Sequence, residues 1–319
     1  MRLALLATML AAGPALAEPV EITADRPFGL LSGTLERPDG APHAASLILP
    51  GSGPTDRDGN SVLGVSTDAY RLLAEGLARD GIATARIDKR GLGASAGDGN
   101  AVSLSDYRVD TEAWIEVIRS ETGAPCVWLI GHSEGALLAS DAAALPGVCG
   151  LVLLAGPGRP LGAVMRDQLA AQPNLAPVLP EFERALADLI ETGEVDTASL
   201  PPALAAIFGP ATRDYLRELV MTDPAALLAA TDLPTLILHG DADLQVPPSD
   251  ADPLAEARPD ATRMTLSGMT HVLKQAVPRG EAEDLETYVA ASLATYADAS
   301  LPLHPALVPA IAEFIEAAR

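Results

Sequence analysis

Aromatic side chains are scarce in this sequence, at 3% of 319 residues, so its core must be built from Ala, Leu, Val and Ile. Basic residues are few as well. Lys and Arg number 21 against 43 Asp and Glu, a formal charge of −22. A polyanion of this size repels phosphate backbones and anionic lipid, which argues against nucleic acid or a charged membrane surface as a partner. The acids are spread along the chain and form no acidic tail, so they read as a solvated surface. The cysteines are two and lone, and no His pair falls at i, i+4, so the spacing of a metal site is absent. No Gly-rich phosphate loop follows a strand pattern, and no cofactor is called for. Internal repeats and low-complexity linkers are missing too. Past the first residues no apolar run is long enough to cross a bilayer, so no stable membrane anchor is expected.

What is present starts with an address. Arg2 precedes the unbroken apolar stretch Leu3 to Ala12, and Ala15-Leu16-Ala17 supplies the small residues a signal peptidase reads. Residues 1–17 are therefore expected to be a signal peptide, with a mature chain starting near Glu18 and working in the periplasm or outside the cell. No Cys follows the cleavage site, which excludes the lipoprotein route. Export gives the cysteines meaning, because exported proteins meet an oxidising compartment. Cys126 opens the run Cys126-Val127-Trp128-Leu129-Ile130, and Cys149 opens Cys149-Gly150-Leu151-Val152-Leu153-Leu154. If these runs are neighbouring parallel strands, the sulfurs start at one level and a disulfide is expected.

Strand and helix signals alternate along the chain. Short β-rich runs at Ser46–Leu49, Ile82–Ile87, the cysteine-led segments, Thr235–Leu238 and Thr262–Leu266 suit strands covered on both faces. Tyr70, Leu73, Ala74 and Leu77 follow helical spacing up to Gly81. A second helix carries Tyr107, Ala113, Trp114 and Val117, with Ser103 and Asp106 spaced as a capping box. A third starts at Ser133. The segment from Val20 to Arg37 reads as an antiparallel entry. This order implies an α/β fold with a mostly parallel, doubly wound sheet. Residues 157–231 break the alternation with helical segments and no strand, and are expected to form a lid inserted between core segments 18–156 and 232–319.

The chemistry centres on Gly131-His132-Ser133-Glu134-Gly135, set between a strand run and a helical run. In that context the pentapeptide reads as a tight strand-to-helix turn. It presents the Ser133 hydroxyl and aims the Glu134 N–H at a developing oxyanion. A serine nucleophile needs a base, and the base needs an orienting acid. Of the histidines, His271 follows the last strand run and sits in a loop; His304 is the competitor, and its spacing between Pro302 and Pro305 reads as a helix entry. For the acid, Asp243 lies past the carboxyl end of Thr235–Leu238, where ligands gather in open parallel sheets, with Asp241 as its rival. The second oxyanion donor falls to the N–H of Ser52, with Gly51 and Gly53 as alternatives. Asp56, Arg57 and Asp58 read as an ion-pair latch toward Lys89 and Arg90.

Pro50-Gly51-Ser52-Gly53-Pro54-Thr55-Asp56-Arg57-Asp58-Gly59-Asn60, Asp88-Lys89-Arg90-Gly91-Leu92-Gly93, the Ser133 pentapeptide and Gly240-Asp241-Ala242-Asp243 together resemble a bacterial α/β-hydrolase family. Its members are labelled esterases or serine aminopeptidase-like hydrolases. The resemblance runs from about Ser46 to Ile315 and is weakest in the lid. It implies a Ser133–His271–Asp243 triad, an oxyanion hole from Ser52 and Glu134, and hydrolysis of a small-molecule ester through an acyl-enzyme. Pro50-Gly51 stands where the family usually has His-Gly. An aminopeptidase on the same triad would need an acidic pocket, which Glu181, Glu183 and Glu191 of the lid could supply. A non-catalytic binding module is the reading from another class. A thioesterase fits export poorly.

Overall fold

The structure, a computed structural model, describes residues 17–172, 174–277, 280 and 284–319. Residues 1–16 of the expected signal peptide therefore lie outside the described residues. The strands are β1 (Val20–Arg26), β2 (Gly29–Glu36), β3 (Ala44–Leu49), β4 (Ile82–Ile87), β5 (Val127–His132), β6 (Val148–Leu154), β7 (Thr235–Gly240) and β8 (Thr262–Leu266). They form one eight-stranded sheet in the order β1-β2-β4-β3-β5-β6-β7-β8. The β1–β2 hairpin and the β2–β4 pair are antiparallel, and every later pairing is parallel. The antiparallel entry and the doubly wound parallel sheet are both present.

The strand pattern shows why both faces are covered. On β5, Val127 and Leu129 join one apolar cluster while Trp128 and Ile130 join another. On β6, Leu151 and Leu153 face one way and Val152 and Leu154 the other. Leu47, Leu129, Leu151 and Ile237 are fully buried, and each such side chain contributes about 1.5–3 kcal/mol when withdrawn from water. With few aromatics available, Trp128 packs on the second face against Phe314, ring centres 5.7 Å apart. Gly150 on the neighbouring strand makes room for it, since a Cβ there would fall 2.2 Å from the indole.

Helices α1 (Ala69–Arg79) and α2 (Leu104–Thr122) precede β5, and α3 (Glu134–Asp141) follows it. Ser103 caps α2 reciprocally with Asp106, as the spacing suggests. Between β6 and β7 lie α4 (Leu161–Ala171), α5 (Leu179–Thr192), α6 (Pro202–Ile207), α7 (Arg213–Met221) and α8 (Pro224–Ala229). Phe182, Leu186, Leu189, Phe208 and Val220 give this insertion a small core of its own. Leu219 of α7 and Leu228 of α8 pack into the main core with Ile237, and α8, lying against α3 and α9, joins the sheet-covering layer. Helices α9 (Ala251–Ala257), α10 (Leu285–Ala294) and α11 (Leu307–Ala317) complete the chain. Helices α1 and α11 cover one face of the sheet and α2, α3, α8 and α9 the other.

Cys126 and Cys149 are joined by a disulfide, with Cα atoms 5.2 Å apart. The bond ties the N-terminal foot of β5 to that of β6, where the register slips by one residue between Val127 and Trp128. Cross-linking residues 23 positions apart removes unfolded-chain entropy amounting to about 3 kcal/mol.

Candidate active site

The turn after β5 is tight enough to exclude side chains on both sides. A Cβ on Gly131 would lie 2.1 Å from the Gly135 carbonyl, and one on Gly135 would lie 2.1 Å from the Leu49 carbonyl. Between them Ser133 adopts φ 55° and ψ −122°, a backbone conformation that costs a non-glycine residue about 1–3 kcal/mol. Its N–H is anchored to the Leu154 carbonyl of β6 at 2.9 Å. Ser133 then opens α3 and lines a cleft of about 910 Å³ at the carboxyl ends of the strands.

The His271 and Asp243 loops meet beside that cleft. His271 Nδ1 lies 2.8 Å from Asp243 Oδ2. The other oxygen, Oδ1, accepts the backbone N–H groups of Gln245 and Val246 at 2.7 and 2.9 Å. An ionised carboxylate only accepts, so the imidazole proton sits on Nδ1 and the Nε2 lone pair is left for the cleft, which His271 also lines. Among the described residues, neither Ser133 Oγ nor His271 Nε2 takes a protein hydrogen bond. Both groups are open to a substrate. Asp241 is occupied otherwise: its carboxylate accepts the Gly268 N–H at 2.6 Å and the Ser267 hydroxyl at 2.9 Å, stapling the start of the His271 loop. His304 is a helix-entry residue, its Nδ1 accepting the Ala306 N–H ahead of α11.

Two residues that sequence reasoning passed over organise these loops. His132 Nε2 lies 2.7 Å from the His271 carbonyl, and its Nδ1 lies 2.7 Å from Tyr70 Oη. A carbonyl only accepts, so Nε2 carries the proton and Tyr70 donates to Nδ1. Tyr70 Oη in turn accepts the Gly51 N–H at 3.1 Å. A chain of three bonds thus runs from the loop after β3, through the residue before Ser133, to the backbone of His271. Burial, helped by the adjacent His271 ring, depresses the His132 pKa to about 3, so this imidazole is neutral at ordinary pH. A histidine directly before a pentapeptide serine was legible as a position. Its role needed the fold.

The loop after β3 also shapes the cleft. Gly51 sits against Ser133, where a Cβ would lie 3.2 Å from Ser133 Cβ. With the Gly51 N–H engaged by Tyr70, Ser52 offers the next free backbone donor. The Ser52 hydroxyl donates to Glu134 Oε2 at 2.8 Å, and Tyr215 of α7 donates to Glu134 Oε1 at 2.9 Å. Ser52 and Glu134 are therefore neighbours on one side of Ser133.

The latch behind this loop has other partners than the sequence suggests. Arg57 pairs with Asp88 at 2.7 Å and Asp58 with Arg86, while Asp56 folds back on the N–H groups of Asp58 and Asn60. Lys89 reaches the Gly51 carbonyl and Arg90 is held by Asp106 and Asp110. The reason is parity. Arg86 leaves β4 on the side opposite Ala85 and Ile87, which places it under Asp58, whereas Arg90 points toward α2. The lid acids also lie elsewhere. Glu183 pairs with Arg166 at the surface, and none of Glu181, Glu183 and Glu191 lines the cleft.

The arrangement can deliver a serine hydroxyl, an imidazole and backbone donors to one carbonyl in a largely apolar cleft. Three comparisons bear on it. The family model described as serine aminopeptidase, S33 (Hydrolase_4) matches residues 63–275, a span holding Ser133, Asp243 and His271. Esterase EstD of Thermotoga maritima is 28% identical over 223 residues, covering 70% of this chain and 52% of its own length; the chain thus spans about half of that relative. Among solved structures, Est1E from Butyrivibrio proteoclasticus aligns with a TM-score of 0.56 at 17% identity, covering 93% of this chain and 98% of its own. An esterase from Pyrococcus furiosus aligns at 0.54 with 15% identity, covering 94% and 92% respectively.

Proposed function

The chain belongs to the serine aminopeptidase S33 family of α/β hydrolases, and from that premise we propose that it is an exported esterase using Ser133, His271 and Asp243. The observation that carries the reading is the His271–Asp243 bond at 2.8 Å beside a strained serine in the same cleft. In the first step His271 Nε2 takes the proton as Ser133 Oγ attacks the ester carbonyl carbon. The backbone N–H groups of Ser52 and Glu134 bind the oxyanion, and Asp243 offsets the imidazolium charge. As the tetrahedral intermediate collapses, His271 protonates the leaving alcohol, which leaves an acyl-Ser133. Water, deprotonated by His271, repeats the sequence, and the acid departs.

An ester is preferred to an N-terminal amide because of how the cleft carboxylates are used. Glu134 and Asp98 line the cleft. The first is engaged by Ser52 and Tyr215, and the second accepts the Asn100 N–H at 2.9 Å. Asp98 keeps its second oxygen but stands exposed to water, where pairing with a free amine contributes only about 0–1 kcal/mol. The apolar wall formed by Leu161, Met165, Leu216 and Val272 suits an apolar acyl group. Export rests on the expected leader, and the Cys126–Cys149 disulfide supports it.

The test is turnover of p-nitrophenyl esters beside the matching aminoacyl p-nitroanilides. Ester hydrolysis is expected, and Ser133→Ala is expected to lower kcat by several orders of magnitude while the protein stays folded. Undiminished hydrolysis by Ser133→Ala overturns the assignment; faster anilide than ester turnover moves it to an aminopeptidase.

A further inference from the structure

Lys89 is a buried lysine, 7% exposed, at the carboxyl end of β4. Its Nζ donates to the Gly51 carbonyl at 2.7 Å. Among the described residues no carboxylate lies within ion-pair distance of it. A buried ammonium without a counter-ion carries a desolvation penalty of several kcal/mol, and burial accordingly lowers the Lys89 pKa, with only the more distant Glu134 acting to raise it. Stability alone does not explain such a group.

The bond it makes has a directional consequence. The Gly51 carbonyl and the Ser52 N–H belong to one peptide unit, and in a trans peptide these two groups point in opposite directions; the described chain contains no cis bond. An ammonium holding the carbonyl from behind therefore fixes where the Ser52 N–H points. It also draws electron density toward the carbonyl oxygen and makes that N–H a stronger donor. The same residue's N–H is held by Tyr70 at 3.1 Å, so Gly51 is clamped at both ends. Glu134 adds a reason for the charge. Its carboxylate stands beside the place where negative charge would develop, and a nearby cation offsets it.

We propose that Lys89 is a positioning residue for the oxyanion hole, acting through the Gly51–Ser52 peptide. The inference rests on the esterase reading above and assigns a role to a side chain that touches neither nucleophile nor base.

The test compares wild type, Lys89→Met and Ser133→Ala on one p-nitrophenyl ester, with a trifluoromethyl ketone of matching acyl group as an oxyanion-forming inhibitor. For Lys89→Met, kcat is expected to fall about tenfold to hundredfold, somewhat less than when a direct oxyanion donor is removed. KM should stay within about twofold, and the ketone Ki should rise by the same factor as kcat/KM falls. A folded Lys89→Met with wild-type kcat, or one that loses kcat and keeps ketone affinity, overturns the proposal. Lys89→Leu, which likewise removes both the hydrogen bond to the Gly51 carbonyl and the charge, carries the same test should the Met variant fail to fold; wild-type kcat there also overturns it. Retained hydrolysis by Ser133→Ala would instead remove the underlying esterase reading, whatever Lys89 does.

Discussion

His132 donates its Nε2 proton to the backbone carbonyl of His271 at 2.7 Å, with the two rings 4.9 Å between centres. The residue before Ser133 thus holds the loop that carries His271, and it does so as a neutral imidazole. Burial depresses its pKa from 6.5 to about 3. The native state therefore binds fewer protons than the unfolded state between those values. The stabilisation is complete above about pH 6.5 and is lost as pH falls toward 3, at about 1.4 kcal/mol per unit. Urea unfolding of wild type and His132→Gln at pH 7, 5.5 and 4.5 checks this. The amide can replace both hydrogen bonds but does not titrate, so the variant should show the shallower acid slope. Equal slopes would mean that His132 is not the group responsible.

Asp243 and Asp241 compete for one role in the sequence and separate in the structure. Asp243 accepts a hydrogen bond from His271 Nδ1–H, while Asp241 accepts from Ser267 and Gly268. Asp243→Asn is expected to lower kcat about 10⁴-fold, because an amide presents the wrong partner to the Nδ1–H. Asp241→Asn loses a charge-assisted bond to a backbone N–H and should cost about 1–2 kcal/mol of stability, with kcat within about tenfold. A larger kcat loss for Asp241→Asn than for Asp243→Asn reverses the assignment.

The sheet was legible because its strands are continuous apolar runs that end at turn residues, as at Thr235–Leu238 before Gly240 and Asp241. The Ser133 turn was legible because Gly131 and Gly135 stand where the backbone admits no Cβ. Contacts made by single side chains across the sheet were not. Nothing in the order of residues 86–90 says that Arg86 reaches Asp58 while Lys89 turns to Gly51. Tyr70 read as an ordinary member of an apolar helical stripe, and its hydroxyl found Gly51 and His132 only through the packing of α1 against the sheet. Helix α8 looked like part of the insertion since helical propensity carries no information about which core a helix covers.

The disulfide makes a separable prediction. It sits at the foot of β5, and Ser133 follows the opposite end of this six-residue strand, roughly 20 Å away at about 3.3 Å per residue. Cys126→Ala with Cys149→Ala should lower stability by about 3 kcal/mol and leave kcat within about twofold. Thermal unfolding and ester turnover of the double variant check both halves. A large kcat loss at a temperature where the variant is folded would show that the β5–β6 staple reaches the turn.

The strain at Ser133 can be measured by comparing two variants that both lack the hydroxyl. At φ 55° and ψ −122° an alanine retains the Cβ and its clash with the backbone, whereas glycine adopts this region freely. At an ordinary position in a folded segment Gly is less stable than Ala by about 0.5–1 kcal/mol, because it loses more conformational freedom on folding. Here relief of about 1–3 kcal/mol of backbone strain works in the opposite direction. Ser133→Gly should therefore be more stable than Ser133→Ala by about 1 kcal/mol, the reverse of the usual order. Denaturant unfolding of the two proteins decides it. If Ser133→Ala proves the more stable, the turn is not strained in solution, and the exposure of the hydroxyl must come from the Gly131 and Gly135 contacts alone.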